Sequence, residues 1–532
     1  MKTKYLFITG GVISGLGKGI AAASIGRLLK ARGFKTFVLK MDPYLNVDPG
    51  VLSPYEHGEV YVTNDGGETD LDLGHYERFL GITLSKDSSI SSGKLLTRLI
   101  NNERNGKYNG KTVQIVPHFT DEIKKAILSI GEKYNPDFAI VEIGGTVGDI
   151  ESNAFFHTIA QLKYEMPDLV YLIHNSFVPF LNSSGDFKSK PTQQSIALLR
   201  QLGISPNMVV LRSHKPVTSD AIEKIAKYTF LPKSSVISIP DFKQVYEIPL
   251  YLEEKGICEV ILNNFNIENK KAYLDDWKNF VSLLKNKDNQ KITIAMVGKY
   301  TTFEDAYKSI IEALKIAAAY EKINLKLKWV ESENIKNNED VKLVLEETDG
   351  ILILPGFGHR GIDGKIIISE YSRENNIPTL GICLGMQVMS INQARRKGIK
   401  KATSYEFKTD DKEEVYVLDY IRGKDESQSI GGSLRLGASD TEIKEGTKAF
   451  DIYKKTLISE RHRHRFEINP MYRDQIEDDE FIFSGQEPKT KLAEICELKS
   501  HKFYVGVQYH PEFNSQPLDP HPLFLSFIKA MK

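Results

Sequence analysis

Cysteine is scarce in this chain: three in 532 residues, Cys258, Cys383 and Cys496, far apart and odd in number. Such a set builds neither a disulfide framework nor a zinc site, and it fits a reducing compartment. Net charge is missing as well, with Lys+Arg and Asp+Glu both at 70. That balance removes the electrostatic footprint of a nonspecific nucleic-acid or membrane-surface binder. No apolar run approaches the length of a membrane span. The opening MKTKYLFITGG carries an apolar stretch too short for a signal peptide. The expectation is a cytoplasmic protein without nucleic-acid or membrane partners. No repeat period and no low-complexity tract stands out. The length exceeds what one hydrophobic core supports, so two or three domains are expected.

What is present is an alternation of short β-branched runs with helical patterns. YLFITG (5–10), KTFVLKMD (35–42), TVQIVP (112–117), FAIVEIGG (138–145), LVYLIH (169–174), MVVLRS (208–213) and SVISIP (235–240) read as strands. Most are apolar without alternation, as strands covered on both faces should be. Segments between them, such as GIAAASIGRLLKARG (19–33), read as helices, so residues 1–265 form a parallel α/β domain. Residues 266–290 are polar and charged and read as a linker with one amphipathic helix. The same grammar restarts at KITIAMVG (291–298) and continues through LKLKWV (325–330), GILILPG (350–356), TLGICLG (379–385) and FYVGVQYH (503–510). Residues 291–532 are therefore a second α/β domain, and its charged region 408–429 reads as a surface hairpin or loop.

After the first strand comes GGVISGLGKGI (10–20). A glycine-rich turn between strand and helix can aim backbone N–H groups at phosphate oxygens, and Lys18 adds a charge. The usual phosphate loop has four residues between its first Gly and Gly-Lys-Ser/Thr. Here five separate Gly11 from Gly17, and Gly19 follows the lysine, so the hydroxyl that normally holds magnesium is missing. The alternative is a turn that only packs a helix on a sheet. Two acidic stretches can supply metal ligands: DGGETDLDLGHYERF (65–79), with Asp70 and Asp72, and VEIGGTVGDIE (141–151), with Glu142 ending a buried strand. A buried carboxylate is costly unless it meets a cation or a hydrogen bond, and strand C-termini are where open α/β sheets bind ligands. Magnesium shared with a triphosphate answers both points; otherwise 65–79 is a solvated acidic loop. Lys40 is either a phosphate contact or a snorkelling surface lysine. GDFKSKPTQQS (185–195) is either a second anion-binding loop or a solvated turn.

In the second half, strand, Gly-x-Cys-x-Gly turn and helix make a nucleophile elbow around Cys383. A helix N-terminus favours the thiolate form, and a nearby N–H can hold an oxyanion. VQYHPEF (507–513) supplies a base: His510 and Glu512 are two apart and share a side of an extended segment. Glu512 can orient the imidazole and His510 can activate the thiol. The alternative is a buried structural cysteine beside an unrelated His-Pro turn. LPGFGHRG (354–361) follows another strand and can give oxyanion-hole N–H groups. ERHRHRFE (460–467) is a basic stripe suited to carboxylate or phosphate recognition; the plainer reading is an exposed strand of alternating charge.

Together, GLGKGI, KMDPYLNVDPG, HGEVYVTNDGGETDLDLGHYERF, EIGGTVGDIES, KSKPTQ, GICLGMQ, ERHRHRFE and QYHPEF resemble the CTP synthase family, in order and over essentially the whole chain. The resemblance implies a dethiobiotin-synthetase-like P-loop amidoligase domain joined to a class I glutamine amidotransferase domain. It implies that ATP with Mg2+ phosphorylates the 4-oxygen of UTP. Ammonia released from L-glutamine at the thiolate then travels inside the protein and displaces that phosphate to give CTP. By motif match, Cys383, His510 and Glu512 form the triad. Gly356, Leu384, Gly385, Met386, Gln387, Glu406 and Arg465 hold glutamine. Gly15, Leu16, Gly17, Lys18, Gly19, Ile20 and Asp72 contact ATP, with Pro240, Asp241 and Phe242 near its base. Asp72 and Glu142 bind the metal. Ser14, Lys188, Ser189, Lys190, Pro191, Thr192, Gln193 and Lys224 contact UTP. CTP, the feedback inhibitor, shares that set and adds Asp149, Ile150 and Glu151. GTP is the implied allosteric activator, through a lid matched by HRGIDG (359–364), and a homotetramer is the implied assembly, with filaments in some members.

Three departures from the family pattern stand out. Gly15 replaces the second Ser of Ser-Ser-Leu-Gly-Lys-Gly. PGFG replaces Pro-Gly-Gly-Phe-Gly, one glycine short beside the oxyanion donor. Asp363 stands where the lid usually has Glu. Two other functions use the same motifs: an ATP-dependent amidotransferase with a different acceptor, such as a cofactor carboxylate, and a nucleotide-sensing filament protein with an impaired glutaminase. An acceptor screen separates the first, and polymerisation without turnover would mark the second.

Overall fold

The structure is a computed structural model and describes residues 2–285, 290–421 and 434–532. It divides into two compact units, Met1–Pro49 with Asp72–Val281 and Gly50–Leu71 with Ser282–Lys532. Among the described residues no helix is long and apolar enough to cross a membrane.

The first unit is built on seven strands: β1 (Lys4–Gly10), β2 (Thr36–Asp42), β3 (Ser89–Ser91), β4 (Phe138–Ile143), β5 (Val170–Phe177), β6 (Met208–Ser213) and β7 (Val236–Pro240). They lie in the order β7-β6-β5-β1-β4-β2-β3, and every pair is parallel. The apolar runs are buried on both faces, as the lack of alternation requires. β1 sits between β4 and β5, and the order of strands reverses around it. The C-terminal end of β1 is therefore a topological switch point, where such sheets bind ligands. Helix α1 (Lys18–Lys30) starts there, after the glycine-rich turn.

The expected strand at 112–117 is not one. Its proline has no N–H for a ladder, Ile115 and Val116 are exposed, and the chain turns at Ile115–Phe119, where Val116 is extended and the Phe119 N–H donates to the Gln114 carbonyl at 3.3 Å. The edge place is taken by β3, too short to show a pattern. Further on, α2 (Asp72–Leu80), α3 (Lys190–Gln201) and α4 (Ser219–Thr229) follow the expected helical grammar. In the expected linker, 266–290, α5 (Asp275–Lys285) is part of this unit's packing. Its Trp277 is fully buried against Phe79, Tyr246 and the Arg27 guanidinium, and its indole N–H donates to the Tyr246 carbonyl at 2.9 Å. Residues 286–289 of that segment lie outside the described residues.

The second unit carries β8 (Lys291–Gly298), β9 (Asn324–Glu331), β10 (Gly350–Ile353), β11 (Thr379–Ile382), β12 (Arg435–Ile443), β13 (Leu457–His464), β14 (Phe481–Gln486), β15 (Ala493–Leu498) and β16 (Tyr504–Val507). Their order is β9-β8-β10-β11-β16-β15-β14-β12-β13. The first five strands of that order are parallel and the rest antiparallel, so the sheet is mixed. Helices α6 (Ile362–Glu374) and α7 (Leu384–Arg396) follow β10 and β11. Of the expected hairpin or loop 408–429, residues Val415–Tyr420 form a strand, and 422–429 lie outside the described residues. The segment 50–71 belongs here through a short hairpin, Tyr61–Val62 with Glu68–Thr69. The Tyr61 hydroxyl donates to the Phe513 carbonyl at 3.2 Å, and Arg461 donates to the Tyr61 hydroxyl and to the Val62 carbonyl.

Candidate functional site

Cys383 stands between β11 and α7 with φ 53° and ψ −103°, a strained conformation for a side-chain-bearing residue. The glycines around it make the sharp turn feasible. A Cβ on Gly381 would come within 2.7 Å of the Gly385 carbonyl carbon, and one on Gly385 within 2.5 Å of the Ile353 oxygen. The thiol thus sits at a strand's C-terminal end and a helix's N-terminal end, as the elbow reading requires. Cys258 and Cys496 are different: burial pushes both thiols up to about 12.

On the segment after β16, the His510 Nδ1 lies 2.7 Å from a Glu512 oxygen, both side chains buried. Burial by itself would lower the imidazole. The Glu512 carboxylate and the Cys383 thiol outweigh it and push His510 up to about 10. His510 and Glu512 share a cavity of about 930 Å³ with Cys383, Gly356, Glu406 and Arg465. Leu384, Gly385, Met386 and Gln387 are buried at the start of α7 rather than exposed to that cavity. The Gln387 amide donates to the Phe466 carbonyl at 3.0 Å.

The shortened PGFG loop is held from both sides. The Lys299 amine donates to the carbonyls of Phe357 (2.8 Å) and Gly358. Glu406 accepts the Gly358 N–H at 2.6 Å. Burial lowers Lys299 to about 8, against the pull of Glu406, and burial raises the Glu406 carboxyl. A Cβ on Gly356 would meet only ordinary contacts, so space does not demand glycine there. Lys299 was missed in the sequence. Its position just past the first strand of the unit, where α/β sheets place functional groups, is the signal that pointed to it.

The basic stripe is a buried strand rather than an exposed one, with Arg461, His462 and His464 all buried. Arg463 reaches the cavity and pairs with Glu68 of the hairpin segment at 2.9 Å.

In the first unit, Lys40 is buried and pairs with Asp72, with Glu142 (3.3 Å) and with Asp42 (3.7 Å). It is neither a surface lysine nor snorkelling. Glu142 also accepts from the Tyr76 hydroxyl. A Cβ on Gly19 would come within 3.4 Å of Glu142 and within 2.2 Å of Asp72. That explains why glycine stands where the usual phosphate loop has a hydroxyl residue. Lys18 donates to the Gly145 carbonyl at 2.7 Å, and burial lowers it. Asp70 is 3.8 Å from His57 within the other unit. Among the described residues no cluster of three or more His, Cys, Asp or Glu is arranged for a metal.

Arg212, also missed, ties Leu16 to the Pro240 segment: it donates to the carbonyls of Leu16 (3.1 Å) and Pro240 (2.9 Å) and pairs with Asp241. An arginine closing an apolar strand was the available signal. Phe242 packs on Tyr251. Gly15, Gly17 and Ile20 complete this turn and helix start. Of the expected UTP set, Ser189, Thr192 and Gln193 are buried; Thr192 binds Ser176 and the Phe177 carbonyl, and Gln193 donates to Ser189. Lys188 lies 3.4 Å from Asp186, and Pro191 opens α3. Ser14, Lys190, Ile150, Glu151 and Lys224 are exposed, and Asp149 accepts from Thr146.

Two α/β units, the second with a cavity that brings Cys383, His510 and Glu512 together, are the framework of a glutamine amidotransferase joined to a synthase unit. A family profile described as CTP synthase N-terminus matches residues 4–267, and one described as glutamine amidotransferase class-I matches 302–530. The chain is 57% identical over 529 residues to the CTP synthase of Mycoplasmopsis pulmonis, covering 99% of this chain and 98% of that one. It is 46% identical to the CTP synthase of Bacillus subtilis over 530 residues, with 99% and 98% covered. A solved structure of the Trypanosoma brucei CTPS glutaminase domain with bound acivicin is 34% identical, covers 45% of this chain and 93% of that one, and has a TM-score of 0.42. The chain belongs to the CTP synthase family, the glutamine-dependent ligases that aminate UTP to CTP.

Proposed function

We propose that this chain aminates UTP with ammonia drawn from glutamine, Cys383 being the nucleophile and His510 and Glu512 its partners. The observation that carries the reading is the convergence of a strained elbow cysteine and a buried His–Glu pair on one cavity. The Glu512 carboxylate and the Cys383 thiol push His510 up to about 10, so the imidazole carries the proton that the reaction needs. The thiolate attacks the glutamine carboxamide carbon, His510 gives its proton to the departing ammonia, and water then releases glutamate from the thioester. Backbone N–H groups at Gly356 and at the start of α7 hold the oxyanion, with Lys299 and Glu406 fixing the loop. Glu406 and Arg465 take the charged end of glutamine, and Leu384, Gly385, Met386 and Gln387 form the turn beneath it.

In the first unit, residues Gly15 to Ile20 cradle the ATP phosphates, and Pro240, Asp241 and Phe242 lie toward the base. Asp72 and Glu142 suit Mg2+: both are hard oxygen donors, and both already converge on one cation, Lys40. Bound there with ATP, the ion supplies charge neutralisation for transfer of the γ-phosphoryl to the UTP 4-oxygen. Ser14, Lys188, Ser189, Lys190, Pro191, Thr192, Gln193 and Lys224 receive UTP, and CTP inhibits at the same set with Asp149, Ile150 and Glu151. GTP activates through the 359–364 segment, where Arg360 donates to the Lys299 carbonyl at 2.6 Å. Residues 1–265, apart from the 50–71 segment that packs with the second unit, carry the ligase step and 291–532 the glutaminase, in a cytoplasmic homotetramer.

The test is CTP formation from UTP, ATP and magnesium in the Cys383→Ala variant. Glutamine-driven synthesis is expected to vanish while ammonium-driven synthesis persists; loss of both would overturn the role of Cys383.

A further inference from the structure

Behind Cys383 lies a chain of side-chain amides whose direction is set by a backbone carbonyl. The Gln387 Nε2 lies 3.0 Å from the Phe466 oxygen and 3.3 Å from the Gln508 Oε1. The Gln508 Nε2 lies 3.8 Å from the Cys383 Sγ. A carbonyl only accepts, so Gln387 must turn its NH2 toward Phe466. That same NH2 faces Gln508, which must answer with its oxygen. The Gln508 NH2 is left pointing at sulfur. Flipping Gln387 would set two acceptors against each other, and flipping Gln508 two donors, inside a site where Gln508 is fully buried and Gln387 is 3% exposed.

The sulfur has a different partner in each protonation state. As a thiol it can donate to the Arg463 carbonyl, 3.8 Å away. As a thiolate it can only accept, and the Gln508 N–H is aimed to donate. Hydrogen bonds to an ionised group are the stronger kind, so this contact favours the thiolate over the thiol. Gln508 and His510 are two apart, just past the end of β16, and both side chains reach Cys383, so the sulfur meets a neutral donor and the imidazole from one stretch of chain. The Gln508 backbone N–H is fixed on the Glu494 carbonyl at 2.9 Å, which keeps the side chain from drifting with the ligand.

We infer that Gln508 is a further residue of the glutaminase reaction, a neutral amide donor that holds the Cys383 sulfur as thiolate, with Gln387 and the Phe466 carbonyl fixing its direction. The inference rests on Cys383 being the nucleophile. A cysteine poised by His510 alone would need no such donor.

The experiment is the rate of iodoacetamide alkylation at Cys383, mapped by mass spectrometry across pH 5 to 10, in full-length wild type, Gln508→Leu and Gln508→Asn. Leucine keeps the volume and removes the donor; asparagine stays polar but is one methylene too short to reach sulfur. Each variant is expected to shift the midpoint of the alkylation profile upward by about one pH unit, the size of a charge-assisted hydrogen bond. The glutaminase kcat at neutral pH should fall about tenfold with the glutamine KM little changed. The asparagine variant carries the test where the leucine variant does not fold. A profile that superimposes on wild type in folded protein overturns the inference. The underlying reading is tested apart from it: alkylating wild-type Cys383 should block glutamine-driven synthesis and spare ammonium-driven synthesis. If it does not, Cys383 is not the nucleophile, whatever the variants show.

Discussion

Glu494 is a buried carboxyl whose state follows from its neighbours. It pairs with Arg435 at 2.7 Å, and its other oxygen lies 3.8 Å from the His462 Nε2. The His464 Nδ1 donates to the Phe466 carbonyl at 3.1 Å, so its Nε2 accepts from the His462 Nδ1 at 2.9 Å. His462 then turns a lone pair toward Glu494, 3.8 Å away, so an ionised Glu494 would face a lone pair rather than a donor. Burial supplies the answer: against the pull of Arg435 it raises Glu494 to about 8, and it holds His462 well below its usual range. The folded state therefore binds the Glu494 proton more tightly than the unfolded chain does. Stability from the group is full below the ordinary value of 4.5 and is lost as pH climbs through 8. Melting temperatures measured from pH 5 to 9 should decline more steeply in wild type than in Glu494→Gln; parallel curves would refute the assignment. None of this was legible in the sequence, because residues 435, 462 and 494 meet only through the order of antiparallel strands. Cys383 could be proposed from its two flanking glycines, and His510 with Glu512 from lying two apart, because each of those spacings is local and the chemistry needs it.

The PGFG loop is the element where the family pattern and this chain part. One glycine fewer shortens the backbone beside the proposed oxyanion site, and Lys299 with Glu406 supplies what fixes its peptide planes. Lys299→Met keeps length and burial while removing both carbonyl contacts. Glutamine-driven synthesis should fall about 10–100-fold, approaching the cost of a lost oxyanion donor. Ammonium-driven synthesis should not change, and steady-state assays with each nitrogen source decide it. Equal losses would place Lys299 in general folding instead. Elements were legible where the pattern was long and apolar, as at β1, β4, β5 and β8. They failed where burial was supplied from elsewhere: the stripe ERHRHRFE left carboxylate or phosphate recognition and an exposed strand open, yet it lies buried, with Arg461 on Tyr61, Arg463 on Glu68 and His462 on His464. At TVQIVP a single proline outweighed the β-branched run.

At the scale of the molecule, α5 is the amphipathic helix expected within 266–290, and what composition did not show is where its apolar face goes. Trp277 fills a pocket of Phe79, Tyr246 and Phe280. Trp277→Ala should cost roughly 3–5 kcal/mol, the range for emptying a large aromatic site. Calorimetry should show one transition moving down, that of the first unit, while glutamine hydrolysis by the second unit keeps its thermal midpoint. A uniform shift of both would contradict the division at Val281. The two α/β cores themselves were readable from the restart of the strand grammar. The reassignment of residues 50–71 was not, since their partners lie hundreds of positions downstream. That hairpin also sets a timetable for biosynthesis. Tyr61 emerges from the ribosome 400 residues before Arg461, the side chain that anchors it. At about 5–20 residues per second the hairpin waits roughly 20–80 seconds for its partner. The first unit must meanwhile fold around a looped-out strand pair, and the glutaminase completes itself only when the last-made part of the chain returns to one of the first.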